Sequence, residues 1–220
     1  MTLLPAIEHE TRTNPDAAII WLHGLGADGS DFAPIVPELN LPSELGIRFI
    51  FPHAPSRAVT VNNGFVMPAW FDILVMDIDR KVDTAQLLVS ADAINKFVER
   101  ELGRGIDSRR IILAGFSQGG AVAYQVALSH AKPLGGLIAM STYLATSDTI
   151  QLSPANQDIP IEIHHGVYDP VVPQALGIRA AEFLKEHNYT LEFRTYPMEH
   201  AVCPQQINDI SQAFQRFLQR

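Results

Sequence analysis

The chain has 220 residues, of which 47% are hydrophobic and 18% charged, a composition typical of a globular protein rather than a disordered or membrane-spanning one. Its 24 Asp and Glu outnumber its 16 Lys and Arg, and the net charge of −8 repels nucleic-acid phosphates and anionic lipid headgroups. We therefore expect a soluble single domain over residues 1–220, without a nucleic-acid partner or stable membrane insertion.

Short apolar runs rich in β-branched residues alternate with segments of helical periodicity. This alternation predicts an α/β fold in which helices cover both faces of a mostly parallel sheet. The expected strands span residues 17–22, 47–51, 110–114, 135–140, 161–165 and 191–196. The clearest helices are expected at residues 84–102 and 120–128, and from Pro204 onward. Functional loops should follow the carboxyl ends of the strands.

The stretch between Pro52 and Asp83 has poor periodicity and several turn-forming residues. It also carries large apolar side chains, among them Phe65, Met67, Trp70 and Phe71. A long loop with such groups typically lines a binding site. We therefore expect these four side chains to wall a groove for the substrate.

The strongest functional motif is Gly115-Phe116-Ser117-Gln118-Gly119, a G-x-S-x-G pentapeptide between an expected strand and an expected helix. A strand that turns sharply into a helix there exposes the serine hydroxyl, and the glycines leave room for the turn. The helix directs the positive end of its dipole at the same place. The motif predicts that Ser117 is a nucleophile; the alternative is a glycine-rich turn with an incidental serine.

A serine nucleophile needs an imidazole that takes its proton and an acid that orients the imidazole. In α/β-hydrolases these residues follow in the order serine, acid, histidine. Asp169 comes soon after the expected strand 161–165, and His200 lies between the last expected strand and the last expected helix. The sequence therefore predicts Asp169 as the acid and His200 as the base. A turn aspartate and a surface histidine are the alternatives.

Gly24, Gly26 and Gly29 follow the first expected strand with the G-x-G-x-x-G spacing of a dinucleotide-binding loop. That interpretation is disfavoured, because two prolines interrupt the segment where its helix should begin and no acid ends the second expected strand. In a hydrolase the same glycines let backbone N–H groups approach a developing oxyanion. We expect the N–H groups of Leu25 and Gln118 to form this oxyanion hole.

We expect neither a cofactor nor a metal ion. His164 and His165 are adjacent, so on a strand they point to opposite faces and cannot bind one metal together. Cys203 is the only cysteine and cannot form a disulfide within the chain, and no sharp turn presents it as a nucleophile. Because residues 1–10 also lack the features of an export signal, the sequence predicts a cytoplasmic protein.

Several blocks together resemble the acyl-protein thioesterase and carboxylesterase family, also called the phospholipase/carboxylesterase family, and the resemblance runs nearly end to end. These blocks are His23-Gly-Leu-Gly-Ala-Asp-Gly29, Phe51-Pro-His-Ala-Pro55, the stretch from Val61 through Trp70-Phe-Asp72, Gly115-Phe-Ser-Gln-Gly-Gly120, Ser141-Thr-Tyr143, His165-Gly-Val-Tyr-Asp169 and His200. The resemblance implies a compact hydrolase without a large cap domain that acts on esters, thioesters or lysophospholipids. It also implies a homodimer, which bacterial members frequently form.

These observations predict a serine carboxylesterase or thioesterase that hydrolyses short- to medium-chain acyl esters or thioesters, including lysophospholipids or S-acylated proteins, through an acyl-enzyme intermediate. A hydrolase fold that only binds an acyl ligand is the rival from another class, and an intact Ser, Asp and His in the right order argues against it. Peptidases and dienelactone hydrolases are enzymatic rivals on the same fold. The serine nucleophile and the absence of a propeller-sized extension disfavour them.

Overall fold

A seven-stranded sheet forms the centre of the chain in a computed structural model that describes residues 3–219. Its strands, in chain order, are β1 (Ala6–Glu10), β2 (Ala17–Leu22), β3 (Ile47–Pro52), β8 (Ile111–Phe116), β9 (Gly136–Met140), β10 (Ile161–Gly166) and β11 (Leu191–Tyr196). Four shorter strands lie between β3 and β8: β4 (Ser56–Val59), β5 (Phe65–Pro68), β6 (Ile73–Val75) and β7 (Lys81–Val82). The helices are α1 (Thr84–Gly103), α2 (Gln118–Ser129), α3 (Gln174–Glu186) and α4 (Pro204–Leu218).

The strand order in the sheet is β1-β3-β2-β8-β9-β10-β11, and every neighbouring pair is parallel except β1 with β3. The sheet is therefore mostly parallel, as the alternating pattern predicted. The antiparallel edge strand β1 was not predicted, because three of its five residues are exposed and leave no clear apolar alternation.

Side chains alternate between the two faces of the sheet, and each face packs against its own helices. On β2, Ala18, Ile20 and Leu22 pack in the core that contains the buried faces of α1, α2 and α3. Ala17, Ile19 and Trp21 pack on the other side with α4 and the short 3-10 turns after β2. All six residues of β2 are buried, which explains why this strand reads as a continuous apolar run.

Residues 53–82 form two short antiparallel hairpins rather than one long loop. Strand β4 pairs with β5, and β6 pairs with β7. Asn63 (φ 54°) and Gly64 (φ 75°) turn the chain between β4 and β5, and the Gly64 N–H donates to the carbonyl oxygen of Val59. Asn-Gly is a strong local signal for a hairpin, and both residues adopt positive φ at low cost.

The parallel arrangement places the carboxyl ends of β2, β8, β10 and β11 at one edge of the sheet. The segments that begin there contain Leu25, Ser117, Asp169 and His200. Residues distant in sequence therefore meet at this edge. Among residues 3–219, no helix is long and apolar enough to cross a membrane.

Candidate active site

Ser117 is the single residue that joins β8 to α2. Its backbone has φ 53° and ψ −120°, a conformation that is strained for a residue with a side chain. Neighbouring segments hold it: its N–H donates to the carbonyl oxygen of Met140 at 2.9 Å, and the Thr142 hydroxyl donates to its carbonyl oxygen at 2.5 Å. The structure thus contains the sharp turn that the pentapeptide predicts.

The two glycines of the pentapeptide are required because there is no room for a side chain at either position, and not because of their backbone angles. A Cβ atom at Gly115 would lie 2.5 Å from the carbonyl oxygen of Gly119, and one at Gly119 would overlap the carbonyl oxygen of His23. In both cases the obstructing atom is backbone and cannot move aside cheaply. The strand, the turn and the helix can therefore approach each other this closely only with glycine at both positions.

Ser117, His200 and Asp169 form one hydrogen-bonded chain. His200 Nε2 lies 3.0 Å from the Ser117 hydroxyl oxygen, and His200 Nδ1 lies 2.7 Å from Asp169 Oδ2. The ring of His200 also packs on Phe116, with the ring centroids 4.7 Å apart. This geometry lets Nδ1–H donate to the carboxylate while Nε2 faces the serine hydroxyl as an acceptor.

The carboxylate of Asp169 is buried, and both of its oxygens accept hydrogen bonds. Oδ1 accepts the N–H groups of Val171 at 2.9 Å and Val172 at 2.8 Å, and Oδ2 accepts from His200. Burial by itself would raise the pKa of Asp169, but the bond from His200 and those from the two backbone N–H groups outweigh it and hold the pKa below its ordinary value. The acid therefore stays ionised beside the imidazole.

His165 supports the loop that carries Asp169. Its Nε2–H donates to the carbonyl oxygen of Val172 at 2.8 Å and lies 3.8 Å from Asp169 Oδ2. Burial lowers the pKa of His165, so the ring remains neutral. A Cβ atom at Gly177 would lie 2.5 Å from Nδ1 of this ring, so α3 needs glycine there. Sequence reasoning favoured packing or a loop hydrogen bond for His165 over metal binding, but it did not identify the loop of Asp169 as the partner.

A cavity of about 260 Å³ lies over Ser117. Its lining includes Gln118, His200 and Leu25, which the sequence singled out, and Ile73, Met76 and Tyr143, which it did not. The N–H of Gln118 is the first of α2 and has no acceptor within the helix. Leu25 and Gln118 are thus brought to the same cavity as the serine hydroxyl.

The prediction that Trp70 and Phe71 wall the substrate groove is wrong. Both side chains are fully buried in the core. Trp70 donates its indole N–H to the carbonyl oxygen of His23 at 2.9 Å, and the backbone of both residues is bonded to the side-chain amide of Gln118. These aromatics therefore anchor the hairpin segment beneath the active site instead of facing the substrate.

Phe65 and Met67 are also outside the cavity over Ser117. Phe65 lies at the start of β5 with 68% of its surface exposed, and Met67 is half-buried beside Asn62, whose amide lies 3.3 Å from its sulfur. The hairpin residues that line this cavity are instead Ile73 and Met76, from the second hairpin. The sequence carries no periodicity that separates the two hairpins.

The histidines that could suggest a metal site bind different partners. His164 contacts Glu162 at 3.0 Å, while His165 contacts the Val172 carbonyl, so the two imidazoles do not converge. In the described part of the chain, no group of three or more His, Cys, Asp or Glu is arranged to hold a metal ion. Cys203 is a half-buried free thiol that precedes α4.

Comparisons with known proteins identify the family of this chain. Residues 5–218 match the family model described as Phospholipase/Carboxylesterase. Acyl-protein thioesterase 1 from Neurospora crassa is 36% identical over 219 residues, which cover 94% of this chain and 87% of that protein. The protein of the same name from Mycosarcoma maydis is also 36% identical, with 93% and 92% covered.

Two plant crystal structures share the fold. Arabidopsis thaliana SOBER1 superposes with a TM-score of 0.87 and 31% identity, covering 92% of this chain and 99% of that one. Zea mays acyl-protein thioesterase 2 gives a TM-score of 0.85 and 26% identity, with 98% and 99% covered. The chain thus belongs to the phospholipase/carboxylesterase family and is a serine hydrolase with an α/β-hydrolase fold.

Proposed function

We propose that the chain hydrolyses short- to medium-chain acyl esters and thioesters, with Ser117 as nucleophile, His200 as general base and Asp169 as the acid that orients it. The observation that carries the proposal is the hydrogen-bonded chain from the Ser117 hydroxyl through His200 to Asp169, at 3.0 and 2.7 Å. A binding protein has no use for a hydroxyl held in a strained turn against an imidazole.

In the first step, Ser117 Oγ attacks the acyl carbonyl carbon while its proton passes to His200 Nε2. The negative charge develops on the carbonyl oxygen, where the N–H groups of Leu25 and Gln118 are proposed to stabilise it. When the tetrahedral intermediate collapses, His200 returns the proton to the departing alcohol or thiol, and the acyl group remains on Ser117. Water, deprotonated by His200, then releases the carboxylic acid by the same two stages.

The size of the cavity supports short and medium acyl chains. At about 260 Å³ it is just below the range typical of sites that enclose drug-sized ligands, and its sides include the apolar groups of Ile73 and Met76. Each methylene transferred from water into such a cavity gains about 0.8 kcal/mol, which is roughly fourfold in kcat/KM when expressed in the transition state. Activity should therefore rise from acetyl esters to longer chains and decline when the cavity is full.

The relatives named acyl-protein thioesterase support S-acylated proteins among the substrates. We also propose that the protein works in the cytoplasm, where its single cysteine would remain reduced. A homodimer is proposed from the family resemblance alone, and light scattering at micromolar concentration would detect it.

The experiment combines a fluorophosphonate probe with hydrolysis of 4-nitrophenyl butyrate and S-butyryl-N-acetylcysteamine. The wild-type protein should be labelled once and should hydrolyse both substrates, with no change in excess chelator, whereas Ser117→Ala should do neither. Ser141→Ala is the matched control, because Ser141 is also a serine with positive φ, 45°, at the end of a strand, and it lacks an imidazole partner among the described residues. Labelling without turnover of either substrate would contradict the proposal.

A further inference from the structure

Arg80 is the only lysine or arginine among the described residues that line the cavity over Ser117. It lies in the turn that leads into β7, and its side chain also borders a neighbouring cavity of about 310 Å³ on the far side of Tyr143. It also lines a third cavity beside Pro170 and Pro173, so Arg80 is at the junction of three cavities, one of which contains the proposed nucleophile. None of the steps assigned to Ser117, His200 and Asp169 uses it.

Neutral groups fix the position of this guanidinium. Its Nη2 donates to the carbonyl oxygen of Val171 at 2.7 Å, and its central carbon lies 4.7 Å from the centroid of the Tyr143 ring. Val171 is two residues from Asp169, so Arg80 is attached to the loop that carries the catalytic acid. These contacts hold the group in place without neutralising its charge.

Across residues 3–219, no carboxylate lies within 4 Å of the Arg80 guanidinium nitrogens, whereas the neighbouring Arg179 pairs with Asp79 at 3.2 Å. A guanidinium has five N–H donors, of which Arg80 gives one to Val171. The Nε–H is enclosed by protein without an acceptor, which leaves the Nη groups as the donors that can reach a ligand.

An unpaired cation inside a catalytic cavity is unusual in a chain with a net charge of −8, which as a whole repels anions. Its planar N–H groups match the oxygens of a carboxylate or phosphate, and such charge-assisted hydrogen bonds are stronger than neutral ones. Resting on the proposed hydrolase function, we propose that Arg80 binds an anionic group, carboxylate or phosphate, carried by the ester or thioester substrate. Arg80 then determines a preference for anionic over neutral substrates.

The competing role for Arg80 is purely structural, as a connection between the second hairpin and the Asp169 loop. Arg80→Gln separates the two roles, because a glutamine amide is able to donate to the Val171 carbonyl but carries no charge. Arg179→Gln is the matched control. Arg179 also attaches the same hairpin, through a 3.1 Å bond to the carbonyl oxygen of Ile78, but it does not line the cavity over Ser117.

Two substrate pairs locate the anion. The acyl pair compares the 4-nitrophenyl monoester of glutarate with 4-nitrophenyl pentanoate, which have acyl chains of equal length. The leaving-group pair compares 1-butyryl-glycerol 3-phosphate with 1-butyryl-glycerol. The measured quantity is the ratio of kcat/KM for the anionic to the neutral member. The pair whose ratio depends on Arg80 shows whether the anion lies in the acyl chain or in the leaving group.

For one pair, the ratio should fall about 10- to 100-fold in Arg80→Gln, the value expected for one lost hydrogen bond to a charged group, and stay unchanged in Arg179→Gln. Added salt should lower the ratio in the wild-type protein and not in Arg80→Gln. Equal losses for the anionic and neutral members, or ratios that Arg80→Gln leaves unchanged in both pairs, would overturn the proposal. If the wild-type protein hydrolysed none of the four esters, anionic or neutral, the hydrolase function itself would be at fault.

Discussion

Two regions of the molecule meet at the cavity over Ser117 and are held in different ways. In the loops at the carboxyl ends of β8, β10 and β11, the side chains of Ser117, Asp169 and His200 have fixed polar partners, such as the N–H groups of Val171 and Val172 that donate to Asp169. The hairpin segment between β3 and α1 is anchored mainly through the buried residues Trp70 and Phe71. Its outer residues Phe65 and Met76 are 68% and 46% exposed.

The difference separates chemistry from substrate selection. The proposed proton-transfer groups lie on turns that continue strands of the central sheet. Two of these strands, β8 and β10, are buried along almost their whole length, so the core fixes the positions of Ser117 and Asp169. The side chains that we propose to meet the rest of the substrate, Met76 and Arg80 among them, line the cavity from a hairpin with few buried apolar contacts of its own. Substitutions in the first region should therefore affect kcat, and those in the second should affect which substrate is used.

The strongest test of the first region is Ser117→Ala. We expect kcat to fall about 10⁶-fold because no other group provides the nucleophile. The free energy of unfolding should change by about 1 kcal/mol or less, since one hydrogen bond to His200 is lost. Steady-state turnover measured beside urea unfolding tests both statements. Retention of more than about one percent of the turnover would show that the nucleophile is another residue.

The next largest effect is expected from Asp169→Asn. The amide keeps the shape of the carboxylate but favours the wrong tautomer of His200, so kcat should fall about 10³- to 10⁴-fold. Asp158→Asn is the control, because Asp158 is exposed and remote from the cavity over Ser117. Comparable losses in the two variants would contradict the assignment of the acid.

Within the hairpin segment, truncation to alanine should destabilise the protein strongly at the buried anchor and hardly at all at the exposed end. Trp70→Ala should lower the free energy of unfolding by about 3–5 kcal/mol, because it leaves a cavity in the core and removes the donor to the His23 carbonyl. Phe65→Ala should change it by less than about 0.5 kcal/mol, because Phe65 is mostly exposed. Urea unfolding of the two variants measures the contrast. Similar losses would show that the exposed end also carries stability.

The smallest expected effect concerns pH. Burial lowers the pKa of His23, His130 and His165 from the ordinary value of 6.5, so the unfolded chain binds more protons than the folded one below that pH. Stability due to these groups is present above about pH 6.5 and is lost as the pH falls toward their folded pKa values. Each group contributes at most about 1.4 kcal/mol per pH unit.

Urea unfolding between pH 7.5 and 5 measures this loss. His165→Gln should reduce the pH dependence, because glutamine is able to donate to the Val172 carbonyl but has no titrating group. His187→Gln is the control, since His187 is exposed at the end of α3. A free energy of unfolding that does not change over this range would mean that the histidines bind protons equally in the folded and unfolded chain, and that burial does not lower their pKa values.

The residues that we propose as catalytic could be singled out from the sequence because their signals are local. The strands containing residues 17–22 and 191–196 begin and end where the apolar patterns predicted, and α1 differs from its prediction by one residue. Ser117 could be identified from its pentapeptide alone, because the strand-to-turn-to-helix geometry requires glycine on both sides. Asp169 and His200 then followed from the order of residues and from their positions after strands.

The other residues that line the cavity over Ser117 were not predictable in the same way. In the sequence, a large aromatic residue in an irregular segment is compatible both with a groove wall and with a buried anchor. Trp70 and Phe71 are anchors because the side-chain amide of Gln118, at the start of α2, hydrogen-bonds to their backbone. Arg80 gives no local signal, since only the packing of β6 and β7 beside Tyr143 brings its charge to the cavity.

The sequence by itself determined the α/β class, the main strands and the order of nucleophile, acid and base, because these depend on periodicity and turn chemistry within short windows. The tertiary structure alone decided which apolar groups line the cavity over Ser117, why His165 is neutral and buried, and where an unpaired arginine lies. Each of those properties depends on contacts between segments far apart in the chain, such as that between Arg80 and Val171, and such contacts exist only when the sheet has brought those segments together.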